Sequence, residues 1–133
     1  MKITNRISEN QERLEIVVTG DISQENACGI VQYAITEVYD QDFKEMILDM
    51  RKAFFPFPIA LFRLHSLMQI FKYVILKKEL RVTILFHNDN TEQWMHLDKA
   101  PEFEGINMKY FTSRQAALQF LSVGSGQHGS TVH

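Results

Sequence analysis

Met46-Ile47-Leu48-Asp49-Met50 lies between a charged turn and the pair Arg51-Lys52. A short, nearly continuous apolar run of this kind is the pattern of a strand covered on both faces, as in a parallel sheet. It reads as the central strand, and the other elements take their places around it.

Upstream, Lys2 to Ile7 and Leu14 to Thr19 read as two strands. Ser8-Glu9-Asn10-Gln11-Glu12 between them has the polar character of a hairpin connection, so the two should pair antiparallel. Gly20-Asp21 ends the second strand. Ser23 is placed to cap a helix running to about Tyr39, and Glu25 adds negative charge near the positive end of its dipole. Ala27, Ile30, Val31, Ala34, Ile35 and Val38 repeat with the spacing of one buried helical face.

Downstream comes Ala53-Phe54-Phe55-Pro56-Phe57-Pro58, where two prolines exclude a helix until Pro58, a favoured first helical residue. A helix from there to about Lys77 would bury Leu61, Leu64, Leu67 or Met68, Phe71, and Val74 or Ile75. Phe62, Ile70 and Tyr73 fall outside that stripe and widen the apolar face. Lys77-Lys78-Glu79 closes the helix, and Leu80 to Phe86 is a second buried strand rich in β-branched residues. After the turn residues His87-Asn88-Asp89-Asn90, Thr91 can cap a short helix through Leu97 that carries Trp94 and Met95. Asn107 to Phe111 is the last strand. Thr112 and Gln115 have capping-box spacing ahead of a final helix bearing Ala117, Leu118, Phe120 and Leu121.

The predicted order is ββαβαβαβα, an α/β fold with a mostly parallel sheet of about five strands and an antiparallel edge hairpin. Residues 1–123 should form a single domain, with 124–133 a flexible tail rich in Gly and Ser. At 133 residues, 45% hydrophobic and 23% charged, the chain is long and apolar enough for one core.

Composition also excludes functions. Fourteen basic and sixteen acidic residues are dispersed, with no basic stripe, so nucleic acid is not an expected partner. No stretch has the length of a transmembrane segment, no cationic leader precedes an apolar one, and the expected location is the cytoplasm. Cys28 is the only cysteine, which rules out an internal disulfide and a thiolate-rich zinc site. The five histidines, at 65, 87, 96, 128 and 133, lack metal-ligand spacing. No metal and no cofactor is called for, and the isolated glycines form no phosphate loop. Ser66 and Cys28 fall inside predicted helices without a nucleophile elbow. Asp21 and Asp49 could serve as acid and base, but each more simply ends or interrupts a strand. Catalysis through Asp49, His87 or Asp89 is the weakest reading, and the chain is expected not to be an enzyme.

The ordered set of elements resembles the STAS, or anti-sigma-factor-antagonist, superfamily and its SpoIIAA-like branch. The residues that carry the resemblance are Leu14-Glu15-Ile16-Val17-Val18-Thr19-Gly20-Asp21-Ile22 ahead of the first helix, Ile47-Leu48-Asp49-Met50, and Arg81-Val82-Thr83-Ile84-Leu85-Phe86. Trp94, Lys109-Tyr110-Phe111 and Gln115 to Leu121 complete it, over roughly residues 2 to 121. The resemblance implies a small regulatory or ligand-sensing domain with helices largely on one side of its sheet. It also implies a phosphorylatable serine at the start of the helix after the central strand. The matching stretch here, Phe57-Pro58-Ile59-Ala60, has no hydroxyl, and Ser66 lies about two turns further on. A phosphate there would add about two negative charges at a helix N-terminus, a switch this chain lacks.

Phe54 to Pro58 admits two readings. The rings fill the core beneath the following helix, or they form an exposed apolar lip at the carboxyl end of the central strand. In the second reading Phe54, Phe55, Phe57, Pro58, Phe62 and Trp94 bind a partner, either another protein or a second copy in a homodimer. The alternative occupant is a small apolar ligand or lipid, with Trp94, Met95 and Phe103 completing a crevice.

Overall fold

Five strands lie side by side in the order in which the chain makes them: β1 (Lys2–Ile7), β2 (Arg13–Asp21), β3 (Glu45–Phe54), β4 (Arg81–Leu85) and β5 (Met108–Phe111). β1 is antiparallel to β2, and the other neighbours are parallel. A computed structural model describes residues 1–54, 66, 69, 71–87 and 105–130. The expected helix start at Pro58 and the expected short helix from Thr91 to Leu97 lie outside the described residues.

Three helices are described: α1 (Gln24–Asp40), α2 (residues 71–78, with 66 and 69 also helical) and α3 (Arg114–Ser130). Ser23 caps α1 as its position suggests. Its Oγ accepts from the Asn26 N–H at 3.2 Å, and Asn26 Oδ1 accepts from the Ser23 N–H at 2.6 Å. Two orphan donors of the first turn are thereby satisfied. α2 ends in a Schellman pair, Leu80 N–H to Ile75 O at 3.0 Å and Glu79 N–H to Leu76 O at 3.4 Å, with Glu79 at φ 55°.

The cap of α3 differs from the expectation. Ser113 Oγ, not Thr112, accepts from the helix, through the Ala116 N–H at 3.0 Å. The sheet holds the chain one residue longer than the capping-box spacing allows, because Phe111 O still accepts from the Phe86 N–H at 3.0 Å. α3 also continues to Ser130, past the last residue of its apolar spacing, Leu121.

Alternation along the strands divides the molecule into two layers. Leu14, Ile16 and Val18 of β2, Met46, Leu48 and Met50 of β3, and Val82 and Ile84 of β4 form one core face. α1 packs on it through Ala27, Ile30, Val31, Ala34 and Val38, and α2 through Phe71, Val74 and Ile75. Each fully buried Leu, Ile or Phe is worth about 1.5–3 kcal/mol relative to an exposed one. On the opposite face, Ile47 and Leu85 pack against Ala117 and Leu121 of α3, with Phe111 and Phe120 alongside. Two helices thus share one side of the sheet and α3 takes the other.

Candidate functional site

β2 to β5 run the same way, so their carboxyl ends gather at one edge, where ligand and partner sites of open α/β sheets are found. Asp21 ends β2 there, Phe54 ends β3, and Phe86-His87 follow β4. A bulge determines how Phe54 is presented. Val17 lies opposite Asp49 while Thr19 lies opposite Lys52, so β3 carries one residue more than β2 between these points. One extra residue exchanges the faces of everything that follows. Ala53, rather than Phe54, therefore continues the row of Met46, Leu48 and Met50 into the core. Phe54 is turned to the α3 side of the sheet, where it is 58% exposed.

Among the described residues α3 packs on β3, β4 and β5 and meets β2 only through Arg114, leaving the rest of that side open. The register gives its rows: Arg6 opposite Glu15 and Ile47, Thr4 opposite Val17 and Asp49, Lys2 opposite Thr19 and Lys52, and Asp21 opposite Phe54. Lys2, Thr4, Arg6, Asp21, Lys52 and Phe54 are all exposed. In the same rows Glu15, Ile47 and Asp49 are buried and Val17 and Thr19 half-buried, so the exposed positions lie along β1 and at the ends of β2 and β3.

Two ion pairs lie between the open half and α3. Arg51 closes a two-pronged contact on Asp49, with Nη2 to Oδ2 at 2.8 Å and Nε to Oδ1 at 3.0 Å, and its own N–H adds a third bond to Oδ1 at 3.1 Å. Burial pushes the Asp49 carboxyl up, but the hydrogen bonds and charge of Arg51, with a smaller contribution from Arg114, outweigh it and hold the group below its ordinary value. Arg114 grips Glu15 in the same two-pronged way. A carboxylate fixed like Asp49 is a poor proton shuttle at neutral pH. Asp21 stands four positions beyond the residue opposite Asp49, roughly 13 Å along the strand, too far for an acid–base pair.

Among the described residues the remaining chemical candidates do not assemble into a centre. His87 is exposed, Cys28 is half-buried in α1, Ser66 is helical and exposed, and Asp89 lies outside the described residues. No group of three metal-ligating side chains occurs among the described residues. None of the described helices is long and apolar enough to cross a membrane. A cleft of about 330 Å³ lies at the opposite edge of the sheet, where α2 passes into β4, and is lined by Ile75, Leu76 and Leu80 together with Glu79, Arg81, Gly105 and Asn107.

Of the residues expected to form the lip, Phe54 is seen at the surface, while Phe55, Phe57, Pro58, Phe62 and Trp94 lie outside the described residues. Arg51 and Arg114 were not singled out by the sequence. Arg51 had a local signal, a cation two residues from an acid on one strand, whereas Arg114 had none.

No family model and no curated protein matches the sequence. Solved structures do match. The anti-sigma factor antagonist SpoIIAA in its unphosphorylated form superimposes with a TM-score of 0.59 at 12% identity, over 91% of this chain and 98% of that one. The fold is SpoIIAA-like, that of the STAS domains. An anti-sigma factor antagonist from Mycobacterium paratuberculosis gives a TM-score of 0.56 at 19% identity, over 89% of this chain and 92% of that one. A protein from Shewanella loihica PV-4 described as having a SpoIIAA-like fold gives 0.53 at 18% identity, over 90% and 92%. The likeness therefore spans most of each chain, and with the mixed five-stranded sheet and its antiparallel edge it bears out the SpoIIAA-like fold expected from the sequence.

Proposed function

We propose that this SpoIIAA-like chain is a non-enzymatic regulatory module that binds another protein, or a second copy of itself, through the carboxyl edge of its sheet. The observation that carries this reading is Phe54, a large ring that the β3 bulge turns away from the core and that is more than half exposed. Exposed aromatic side chains beside charged ones are the usual anchors of protein interfaces. The structural neighbours described as anti-sigma factor antagonists make a regulatory protein the natural class of partner. One neighbour is SpoIIAA in a phosphorylated form, and Phe57-Pro58-Ile59-Ala60 offers no hydroxyl for such a switch, so binding here is expected to be controlled by other means.

Site-specific photocrosslinking tests the reading. A benzophenone amino acid at position 54 should give a discrete protein adduct in cells, a homodimer adduct if the partner is self. The same probe at the exposed Tyr39 of α1 should not. Equal adduct patterns from both positions, or none from position 54, would overturn it.

A further inference from the structure

β1 is the edge strand of the described sheet: β2 pairs with one side of it, and among the described residues no strand pairs with the other. The phase of the hairpin shows which backbone groups face the free side. Ser8 N–H donates to Arg13 O at 3.0 Å, and this pair continues the register that runs from Lys2 opposite Thr19 to Ile7 opposite Leu14. Antiparallel pairs alternate between those that exchange backbone hydrogen bonds and those that do not. Lys2, Thr4 and Arg6 therefore bond to β2, and the N–H and C=O groups of Ile3, Asn5 and Ile7 point outward. Such an edge is a template for an added strand.

Charge selects the strand. Lys2 and Arg6 are exposed on the open face. Arg6 lies opposite Glu15, yet both oxygens of that carboxylate are taken by Arg114, at 2.8 and 3.2 Å. Lys2 lies opposite Thr19. Neither cation has an acidic partner among the described residues. Four residues of strand span about 13 Å, so carboxylates at positions i and i+4 of an added strand would reach both. A second copy paired in the register centred on Thr4 is a poorer fit, because it sets Lys2 against Arg6, and like charges directly opposite are destabilising.

We propose that the free edge of β1 receives an extended acidic segment of another protein as an added strand, with Lys2 and Arg6 pairing with its carboxylates. The backbone groups that would pair lie on β1, two strands away from Phe54 on β3, so loss of the Phe54 ring and loss of the edge can be told apart. The experiment is an NMR titration of the full isotope-labelled chain with the capped peptide Val-Glu-Val-Thr-Val-Glu-Val, and with its counterpart bearing Lys in place of Glu. The Glu peptide should shift the Ile3, Asn5 and Ile7 amides and the Lys peptide should not. Arg6→Glu should weaken binding by about tenfold. Asn5→Pro removes an outward donor without touching a bond to β2, and should abolish binding. Asn5→Ala should retain it, which controls for the lost hydrogen bond to the Tyr33 hydroxyl. Where Asn5→Pro does not fold, the Lys2→Glu/Arg6→Glu chain, altered only at exposed positions, decides the matter by losing the Glu peptide. No shift along β1, equal binding of the two peptides, or full binding by the folded Asn5→Pro or the doubly reversed chain would overturn the proposal.

Discussion

Arg114, at the start of α3, holds Glu15 of β2 across 99 residues of sequence, with Nη2 to Oε1 at 2.8 Å and Nε to Oε2 at 3.2 Å. The partners are unequally exposed, the Glu15 side chain at 7% and that of Arg114 at 41%. The pair therefore does more to compensate a desolvated carboxylate than to add attraction. Removing the cation alone leaves that carboxylate buried, which is the expensive half of a buried ion pair. Arg114→Ala should lower the free energy of unfolding by about 2 kcal/mol, and Arg114→Ala combined with Glu15→Val by less. Urea unfolding of the two variants measures this. A double variant as unstable as the sum of its single changes would contradict it.

Asp49 and Arg51 make a pH-dependent contribution of known sign. The Arg51 guanidinium and its hydrogen bonds hold the folded carboxyl below the ordinary carboxylate range. The unfolded state therefore binds more protons through the acid range, and the stabilisation is present above the ordinary carboxylate value and lost as pH falls through the folded one. In Arg51→Leu only burial remains, which favours the neutral acid. Acid unfolding, followed by circular dichroism, should begin at a higher pH in Arg51→Leu than in the wild type. Coincident acid transitions would show that Arg51 does not set the Asp49 titration.

The elements were legible in sequence wherever the signal was local. Ser23 stands where a cap is needed, and the spacing from Ala27 to Val38 marks the buried face of α1, because both properties depend on residues within a few turns of each other. The α3 cap was displaced by one residue for a tertiary reason, the hydrogen bond from Phe86 to Phe111, which no local pattern contains. The bulge in β3 was hidden in the same way. It is defined by register against β2, and read alone the segment after Met50 gives no sign that Ala53 turns inward and Phe54 outward. The site was legible to the extent that Phe54 was suspected of exposure. The Glu15–Arg114 contact was not, since its partners meet only once the sheet and its last helix have formed.

Glu79 carries a strain that one substitution relieves. It occupies the left-handed position that closes α2, at φ 55°, where a side chain costs roughly 1–2 kcal/mol. Glycine adopts that conformation without penalty and is the usual residue there. Its greater freedom in the unfolded chain offsets part of the gain. Glu79→Gly should raise the midpoint of thermal unfolding by a few degrees, corresponding to about 1 kcal/mol or less. A lowered midpoint would mean that the glutamate side chain makes a stabilising contact larger than its backbone strain.

Phe54 and Phe71 separate binding from folding. Both are phenylalanines in apolar stretches of sequence, but Phe71 is fully buried in the core beneath α2 whereas Phe54 is more than half exposed beyond the β3 bulge. Truncating a buried ring removes its transfer free energy and leaves a cavity, so Phe71→Ala should cost about 3–5 kcal/mol. A solvated ring at a strand end has little of either to lose, so Phe54→Ser should stay within about 0.5 kcal/mol of the wild type. Parallel denaturation curves for the two variants check both figures. A large loss for Phe54→Ser would show that the ring supports its own fold, and would remove the reason to regard that face as a binding surface.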